Sequence, residues 1–444
     1  MQPTTGLLTD HYELTMLEAA LADGSAKFDA KFEVFARAIP ATRSFGVVAG
    51  TDRVLTAIEN FRFGPTELEF LQSHNIVNSS TLDYLATYHF SGSIRGIPEG
   101  GLFFGNTPIV EISGTFAECL ILETILLSIF NFDSAVASAA ARMVIAAGSR
   151  TIVEMGSRRT HESAAVSSAR AAYLVGASAT SNLEAGRVYG IPTTGTVAHA
   201  FILAHRCEAD AFKAQLATQG KNTTYLVDTY DIEVAIKLAV EIVGPELGAI
   251  RIDSGDPELE SKRARSLLDS LGATETKIVL SGDLDEYRID SLSQHPIDSF
   301  GVGSRLVTGS GYPTCSFVYK LVEIGESGNL RGVAKLSSEK STIAGAKNPV
   351  RGYDSANRLR VEILGLGAGQ NLAPEDFDLD KITDAHVTMM EKGLRIHRPS
   401  LVESRQFHKD QLGVLPKEFL ELRGKPPVMG SLLIKTDNSF TTLA

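Results

Sequence analysis

Short apolar runs alternate with longer amphipathic stretches through the middle of the chain. A short apolar run between turn signals is typical of a buried strand, and the intervening stretches show helical periodicity. About seven such strand–helix units indicate a parallel α/β array, which closes most naturally as a barrel. The apolar runs are residues 151–155, 173–177, 188–192, 224–227, 249–252, 277–280 and 298–302, and the helical patterns include residues 231–243, 258–271 and 283–294.

Polar side chains follow the apolar runs directly. Because the carboxyl ends of parallel strands share one face of a barrel, we expect these side chains to meet on the face that carries the chemistry of barrel enzymes. A purely structural barrel has no need for charged residues at these positions. The residues are Arg158, Ser181, His199, Asp228, Asp253, Asp283 and Ser304.

The two ends of the chain have other patterns. Residues 6–21 predict an amphipathic helix with Thr9 or Asp10 as its N-cap. We therefore predict a second, α+β domain built from both chain ends, with an N-terminal segment (1–115) and a β-rich C-terminal segment (326–444) flanking the barrel (116–325). The other expected elements are a strand over 30–38, short helices over 52–90, a glycine-rich hairpin over 94–116, two helices from 118 to about 148, and strands over 330–363 and 384–397.

Composition narrows the class of protein. The 444 residues are 43% hydrophobic and carry a net charge of −11, which argues against a nucleic-acid-binding surface. The three cysteines are scattered without metal-ligand spacing, as is typical of reduced thiols in a cytoplasmic protein. The N-terminus lacks a signal pattern, and the most apolar stretch, residues 119–132, has 14 residues and is too short to span a bilayer. We expect a cytoplasmic protein without a membrane partner.

The segment 191–199 combines an apolar run with hydroxyl groups, a glycine and a histidine. After Pro192 come three threonines and one glycine, and His199 then begins a helical pattern. Small residues before a helix let backbone N–H groups approach an anion, from which a histidine can accept a proton or a phosphoryl group. The alternative is a strand–turn–helix with a capping threonine and a half-buried histidine.

Residues 251–257, Arg-Ile-Asp-Ser-Gly-Asp-Pro, follow a predicted strand. Two carboxylates and a hydroxyl at that place suit a ribose diol or a magnesium shell. The alternative is a helix cap in front of Pro257, and both can hold at once. The sequence Ser281-Gly282-Asp283 resembles this pattern one unit later.

Two further features suit a phosphate group. Gly303 and Ser304 follow the last apolar run, where barrels usually bind phosphate in front of a helix. Arg158 and Arg159 offer guanidinium forks that suit phosphate, although exposed surface arginines are the alternative. Together with the acidic residues and His199, these features predict chemistry on a phosphorylated sugar.

The same residues closely resemble the nicotinate phosphoribosyltransferase family, in family order and over nearly the whole chain. The resemblance implies a type II phosphoribosyltransferase fold, an irregular parallel α/β barrel plus a second α+β domain. It also implies that nicotinate and phosphoribosyl pyrophosphate (PRPP) give nicotinate mononucleotide and pyrophosphate with coupled ATP hydrolysis, in NAD biosynthesis. The matching stretches are Leu8-Thr-Asp-His-Tyr-Glu-Leu-Thr-Met16, Gly156-Ser-Arg-Arg159, Thr180-Ser-Asn182, Gly195-Thr-Val-Ala-His199, Val227-Asp-Thr-Tyr-Asp231, Arg251-Ile-Asp-Ser-Gly-Asp256 and Gly301-Val-Gly-Ser-Arg-Leu-Val-Thr308.

The resemblance also implies roles for single residues. His199 matches the family's phosphorylated histidine, which receives its phosphoryl group from ATP, and Asp228 would hold the imidazole in one tautomer. Arg158 and Mg²⁺ would screen the anions, Asp253 would bind the ribose hydroxyls or the metal, and Arg251 would face the pyridine carboxylate. The residues implied to hold the 5′-phosphate are Gly282, Asp283, Gly303 and Ser304.

A homodimer is implied as well. In the family, the residues that match Asp10 and Tyr12 reach the neighbouring subunit's site, where Tyr12 would stack on the pyridine ring. Two positions and one segment depart from the family pattern: Ala179 replaces a usual glycine, Met155 replaces the ring-stacking aromatic of nicotinamide-using relatives, and Ala-Gly-Ala-Lys at residues 344–347 stands where the family often has Pro-Gly-Arg-Lys. The last difference leaves open whether Lys347 contacts phosphate.

Ser181 separates close relatives of the family. Nicotinamide-using relatives place an aspartate there, which accepts from the amide and would repel nicotinate, whereas Ser181 is an uncharged donor that suits a carboxylate. A nicotinamide-using enzyme stays an alternative, as does a non-catalytic paralogue that senses PRPP or a pyridine nucleotide. A general phosphosugar aldolase or isomerase would need a Schiff-base lysine or a glutamate base at a strand end, where only Glu154 is found.

Overall fold

The structure is a computed structural model that describes residues 4–326, 328–335, 342–366, 373–429, 431–434 and 440–443. The chain divides into two compact units, one of which comprises Met1–Ala135 with Thr314–Ala444, and the other Val136–Pro313. The first unit is thus built from both chain ends. The two compact units divide after Ala135 and after Pro313. The sequence-based domain limits, 116 and 325, are different residues and stay a prediction.

The N-terminal part of the first unit begins with a helix and then alternates strands with short helices. Local signals explain the helix starts: Asp10 occupies the N-cap position of the first helix, Pro65 opens another, and Thr115 and Glu118 form a capping box. The elements are α1 His11–Asp23, β1 Asp29–Ala36, β2 Gly46–Val47, α2 Thr51–Glu59, α3 Pro65–Ser73, α4 Ser79–Ala86, β3 Ser93–Gly96, β4 Leu102–Phe103, β5 Pro108–Thr115 and α5 Phe116–Leu120.

Helix α6, Glu123–Ala147, is the longest helix and runs from the first unit into the second. Together with α5 it confirms the two helices predicted after residue 118. The apolar stretch of 14 residues, which the sequence analysis judged too short to span a bilayer, is part of a longer helical segment, Phe116–Ala147. By length and composition alone this segment could cross a membrane. Its most apolar window is 67% buried inside the protein, as in the core helix of a soluble protein.

The second unit alternates strands and helices. Its elements are β6 Thr151–Glu154, α7 Glu162–Leu174, β7 Ala179–Thr180, α8 Leu183–Tyr189, α9 His199–Leu203, α10 Glu208–Gln219, β8 Thr224–Leu226, α11 Ile232–Val243, β9 Ala249–Ile252, α12 Pro257–Ser270, β10 Lys277–Ser281, α13 Glu286–Ser291, β11 Ser299–Val302 and α14 Ser304–Val307.

The six strands of the second unit form one parallel sheet in the order β7-β6-β11-β10-β9-β8. Read as a ring, this is chain order, with β11 paired to β6 as in a closed barrel. Among the described strands of this ring, β7 and β8 are the one neighbouring pair that does not hydrogen-bond to each other, so the ring is open between them. At this opening the backbone N–H of Thr180 donates to Pro192 O and that of Thr194 to Thr180 O, both at 3.0 Å. The predicted α/β class is confirmed, and the barrel is irregular because the segment before His199 runs along β7.

Two of the seven predicted strands are wrong. Residues 173–177 are the end of α7 and the turn after it, and residues 188–192 are the end of α8 and the start of a loop. Both runs are short and apolar, so periodicity alone does not distinguish them from a buried helix end. Helix α13 is also shorter than the predicted helix over 283–294, because Gly282 and Asp283 have positive φ and Asp285 caps the helix.

The C-terminal part of the chain returns to the first unit. Its elements are β12 Phe317–Glu326, β13 Asn329–Gly332, β14 Lys347–Tyr353, β15 Leu359–Leu366, β16 Lys381–Asp384, β17 Val387–Glu391, β18 Leu394–Arg395, α15 Leu401–Gly413, β19 Ser431–Ile434 and β20 Phe440–Leu443.

Two larger sheets organise the first unit. The seven-stranded sheet has the order β13-β12-β1-β5-β3-β17-β18 and the five-stranded sheet β16-β14-β15-β19-β20, while β2 and β4 form a small pair. The inner strand β1 runs antiparallel to both β5 and β12, so sequence-distant segments share one core. In that core Phe32 stacks on Tyr319 at 4.6 Å between ring centroids, and Leu14 and Leu17 of α1 are buried.

Lys347 is buried in the first unit. Its ammonium lies 2.7 Å from Glu33 Oε2, and its backbone N–H donates to Glu33 Oε1 at 2.6 Å. Both side chains are at most 3% exposed. The structure therefore gives Lys347 a structural ion pair between β1 and β14, where removal of one partner leaves an uncompensated charge.

Candidate active site

Six of the seven polar residues predicted to gather in the barrel follow its strands at one end, whereas His199 follows no strand and opens α9 after a loop. Arg158 comes after β6, Ser181 after β7, Asp228 after β8, Asp253 after β9 and Asp283 after β10, and Ser304 opens α14 directly after β11. All six strands are parallel, so these loops leave the same edge of the sheet. This edge of the second unit is the candidate active site.

Arg251 is the most connected side chain at this edge. Its guanidinium donates from Nε to Ser281 Oγ at 2.8 Å, from Nη1 to Thr196 Oγ1 at 3.0 Å, and from Nη2 to Asp253 Oδ1 at 2.7 Å. One side chain thus joins β9, the end of β10 and the segment that carries His199. The sequence analysis did not identify Thr196 and Ser281 as partners of Arg251.

Asp253 is ionised at neutral pH. Burial on its own raises the pKa of this carboxyl, but hydrogen bonds from Ser281 and Arg251 and the nearby positive charge of Arg251 outweigh burial and lower the pKa below its usual range. Ser281 Oγ donates to the same carboxylate oxygen as Arg251. A negative charge is therefore fixed at the end of β9.

Asp228 and His199 face each other at the end of β8. Asp228 Oδ2 accepts from the backbone N–H of Asp253 at 2.9 Å and from Ser254 Oγ at 2.7 Å. Its Oδ1 is buried without a hydrogen-bond partner in the described part of the chain and lies 3.8 Å from His199 Nε2. His199 Nδ1 is 3.1 Å from Thr229 Oγ1. A small movement of the imidazole would give Asp228 its missing donor.

Two cavities open around the cluster of Arg251, Asp253 and Ser281. The larger, about 360 Å³, is lined by Asp253, Ser281 and the loop after β10. The smaller, about 220 Å³, is lined by Arg251 and by the loops after β6 and β7. The polar side chains of the smaller cavity are Ser157, Arg158, Ser181, Thr196 and Arg251, and those of the larger one are Asp253, Ser254, Ser281, Asp283 and Arg288.

Backbone approach explains the glycine at position 282. Gly282 has φ +100°, and a Cβ atom there would lie 2.5 Å from the carbonyl oxygen of Asp253. Asp283 follows with φ +46°, has an exposed side chain and lines the larger cavity. Gly303 precedes the single turn of α14, where a Cβ atom would approach Met155 O at 3.2 Å. Only a small residue keeps these loops in contact.

Glu154 joins the two loops of the smaller cavity. Its carboxylate accepts from the backbone N–H of Gly156 and from Thr180 Oγ1, the latter at 2.6 Å. Thr180 Oγ1 accepts from the backbone N–H of Asn182 at 3.0 Å, and Asn182 Nδ2 donates to Ser157 Oγ at 3.0 Å. These bonds close a ring that positions the Arg158 and Ser181 loops. Burial raises the pKa of the Glu154 carboxyl. In the sequence, the position of Glu154 inside the apolar run 151–155 was the sign of a buried carboxylate with hydrogen-bond partners.

We expect Glu154→Leu to loosen this ring. Two buried donors, Gly156 N–H and Thr180 O–H, would lose their acceptor, which costs about 2–4 kcal/mol of the free energy of unfolding. The matched control is Glu154→Gln, whose amide oxygen still accepts from Gly156 N–H, so that only the Thr180 O–H loses its acceptor and a smaller loss of stability is expected. Chemical denaturation measures both variants, and equal stability of Glu154→Leu and wild type would contradict the role of the ring.

Asp10 and Tyr12 lie in the first unit, at the exposed N-terminus of α1. Asp10 has the extended backbone of an N-cap residue, but its side chain accepts no capping hydrogen bond. Tyr12 is 45% exposed, and partial burial together with the carboxylates of Glu123 and Glu13 raises the pKa of its phenol. Their predicted position in a neighbouring subunit's site is not tested by one chain.

Comparison with known proteins decides the family. Residues 7–131 match the model of the nicotinate phosphoribosyltransferase N-terminal domain, and residues 151–362 match that of the nicotinate phosphoribosyltransferase family. The chain belongs to the nicotinate phosphoribosyltransferase family. A relative from Mycobacterium tuberculosis, named nicotinate phosphoribosyltransferase pncB1, is 46% identical over 96% of this chain and 95% of its own length. Nicotinate phosphoribosyltransferase of Bacillus subtilis is 36% identical over 93% of this chain and 90% of its own length.

Solved structures show the same fold. Human nicotinic acid phosphoribosyltransferase superposes with a TM-score of 0.82 at 24% identity and covers 96% of this chain and 97% of its own. Nicotinate-nucleotide pyrophosphorylase from Pyrococcus furiosus gives a TM-score of 0.76 at 24% identity, over 92% of this chain and 95% of its own. Of the departures from the family pattern, Ala179 carries no backbone strain, because it lies in β7 and is not among the residues with positive φ.

Proposed function

We propose that this chain forms nicotinate mononucleotide and pyrophosphate from nicotinate and PRPP, with ATP hydrolysis coupled through His199, as a step of NAD biosynthesis. The observation that carries the proposal is the Arg251–Asp253–Ser281 cluster between two cavities, in a chain of this family. A cation on one side and a carboxylate on the other suit an acidic ring next to a sugar.

Nicotinate would bind in the smaller cavity. Its carboxylate is a good acceptor for the Arg251 guanidinium and for the hydroxyl of Ser181, both of which line that cavity. Arg158 adds a second positive charge at the rim. The pyridine nitrogen is already a free nucleophile, so binding needs only to orient the ring toward the sugar.

PRPP would bind in the larger cavity. Asp253 would accept from the ribose hydroxyls, and the backbone N–H groups of Gly282, Asp283, Gly303 and Ser304 would hold the 5′-phosphate. In the reaction the C1–oxygen bond to pyrophosphate breaks while the pyridine nitrogen bonds to C1. The positive charge that develops on the sugar is stabilised by the fixed charge of Asp253.

Mg²⁺ fits this donor set. The described residues contain no cluster of three histidine, cysteine or acidic side chains that could hold a metal alone. Magnesium usually takes one or two carboxylates and completes its shell with water and substrate phosphates, so Asp253 with the pyrophosphate of PRPP would suffice. Bound magnesium would neutralise the leaving pyrophosphate.

His199 would couple ATP to the transfer. A nitrogen of its imidazole bonds to the terminal phosphorus of ATP as ADP leaves, and water later releases inorganic phosphate. Thr229 Oγ1 lies 3.1 Å from Nδ1 of the ring and Asp228 Oδ1 lies 3.8 Å from Nε2, and Asp228 would hold the imidazole in one tautomer. Arg158 would screen the phosphoryl group from the PRPP anions, and the phosphorylated state would tighten PRPP binding.

The site would be completed in a homodimer. Asp10 and Tyr12 of the neighbouring subunit would reach the pyridine ring, with the Tyr12 ring stacked on it. Tyr12 is exposed together with the apolar side chains Leu8 and Met16, which is unusual for the start of a surface helix.

We also propose that the protein works in the cytoplasm. Its domains are proposed to divide at residues 116 and 325.

We expect Ser181→Asp to change the preference between substrates. A carboxylate at this position repels the acid and accepts from an amide, so KM for nicotinate rises by about tenfold or more while KM for nicotinamide does not. Steady-state kinetics with both pyridines measure the ratio, and Ser178→Asp on the preceding turn serves as a control for added charge. A Ser181→Asp enzyme with the wild-type ratio would remove Ser181 from the nicotinate site.

A further inference from the structure

A third cavity, of about 310 Å³, lies in the first unit. It is lined by residues 37–44 without Thr42, by Phe104 and Gly105, and by residues 425–429 without Pro427. None of the residues proposed for catalysis lines it. Its walls are mostly apolar and include Ile39, Phe104 and Met429.

Three polar side chains of this cavity lack partners in the part of the chain that the structure describes. The Ser44 hydroxyl is buried and makes no hydrogen bond, and Ser44 is 3% exposed. Arg37 is half-buried, and its Nε is buried without a partner. Lys425 also lines the cavity and has no carboxylate within 4.0 Å among the ion pairs found. Arg43, which has partners of its own, adds a further cation.

Buried donors without acceptors are costly, and native proteins rarely leave them so. Two such donors beside one cavity, with a free ammonium at its rim, call for an acceptor that carries negative charge. The apolar walls call for a flat hydrophobic body on the same molecule. Cavities that combine an apolar wall with a few convergent polar groups are the usual form of small-molecule sites.

We propose that this cavity is a second ligand site, for a small aromatic carboxylate. The carboxylate would accept from Arg37 and Ser44 and be attracted by Lys425, while its ring would pack between Phe104 and Met429. A volume of about 310 Å³ equals that of about ten water molecules in the liquid, which is room for one or two fused rings. The site does not depend on the proposed catalytic roles, because no residue is shared.

The test uses 2-naphthoate as the probe and 2-naphthamide as a neutral molecule of the same shape. Calorimetry is run without nicotinate on the full chain and on Arg251→Gln, which removes the cation proposed to bind the nicotinate carboxylate, so that binding retained in this variant belongs to another site. We expect 2-naphthoate to bind and 2-naphthamide to bind at least about tenfold more weakly, since hydrogen bonds to a charged group are the stronger ones. Absence of 2-naphthoate binding, or equal binding of the two probes, would overturn the proposal.

Variants locate the probe. Arg37→Gln removes the free charge and is expected to weaken 2-naphthoate binding by about tenfold to a hundredfold. Ser44→Ala is expected to weaken binding less, while the melting temperature of the free protein holds or rises because an unsatisfied hydroxyl is gone. The control is Arg62→Gln, an exposed arginine outside the cavity. Binding that is unchanged in Arg37→Gln and Ser44→Ala would place the probe elsewhere and refute the site.

Discussion

Replacing His199 with alanine should make the reaction indifferent to ATP. In the wild type we expect ATP to raise the rate at low PRPP by about 5–150-fold, the usual range of coupling between two ligands. The alanine variant has no nitrogen to phosphorylate, so the rates with and without ATP become equal and a slow ATP-independent transfer remains. The measurement is initial rate against PRPP concentration, with ATP hydrolysis followed in parallel.

The nearest matched control is His205→Ala. His205 lies six residues later in the same segment, where its Nδ1 contacts the carbonyl oxygen of Phe201 and no proposed substrate group. Its replacement should preserve ATP coupling. Full coupling in His199→Ala would refute the phosphohistidine, whereas loss of coupling in His205→Ala as well would point to a general disturbance of the segment.

The second large effect is expected for Asp253→Asn. The change removes the negative charge at the end of β9 but keeps the size of the side chain, and Arg251 loses the carboxylate that it contacts at 2.7 Å. We expect kcat/KM for PRPP to fall by about a hundredfold or more, which corresponds to about 2.7 kcal/mol of transition-state stabilisation. Steady-state kinetics with PRPP as the varied substrate measure this change.

Asp256→Asn is the matched control for that experiment. Asp256 lies in the same loop but caps α12 by accepting from the backbone N–H groups of Glu258 and Leu259. Asparagine caps helices about as well as aspartate, so this variant should keep the wild-type PRPP kinetics. Unchanged PRPP kinetics in Asp253→Asn would remove Asp253 from the site.

The lowered pKa of Asp253 also sets the direction of its pH dependence. A carboxyl whose pKa is lower in the folded than in the unfolded protein stabilises the fold at every pH above its pKa in the unfolded protein, about 3.9. This stabilisation is lost as the pH falls through its pKa in the folded protein. The charge of Asp253 therefore stays constant across the neutral range. Activity changes between pH 6 and 8 must come from other groups, and a titration of Asp253 by NMR in that range would contradict this.

The parallel array made much of the site predictable. Asp228, Asp253 and Asp283 follow three strands in chain order, and parallel strands place such residues at one edge whatever their detailed packing. The roles of these residues come from the resemblance to the family, because spacing alone does not supply them. The coarse site is thus contained in the alternation of apolar runs with polar ends.

Hydrogen-bond partners were not predictable in the same way. The contacts of Arg251 with Thr196 and Ser281 depend on which strands are neighbours and on side-chain rotamers, and the segment of Thr196 lies 55 residues away in sequence. The ring around Glu154 depends likewise on the pairing of β6 with β7. The strand predicted over residues 173–177 was wrong because an apolar helix end and a short buried strand share one pattern of apolar residues.

The measurement that tests the central claim most directly is product formation from PRPP and magnesium with nicotinate, nicotinamide or quinolinate, each with and without ATP. We expect nicotinate mononucleotide from nicotinate, strongly enhanced by ATP, and little product from the other two pyridines. Turnover of nicotinamide instead would contradict the assignment of Ser181 and Arg251 to a carboxylate. No turnover with any of the three, while PRPP still binds, would contradict catalysis and leave the chain as a PRPP sensor.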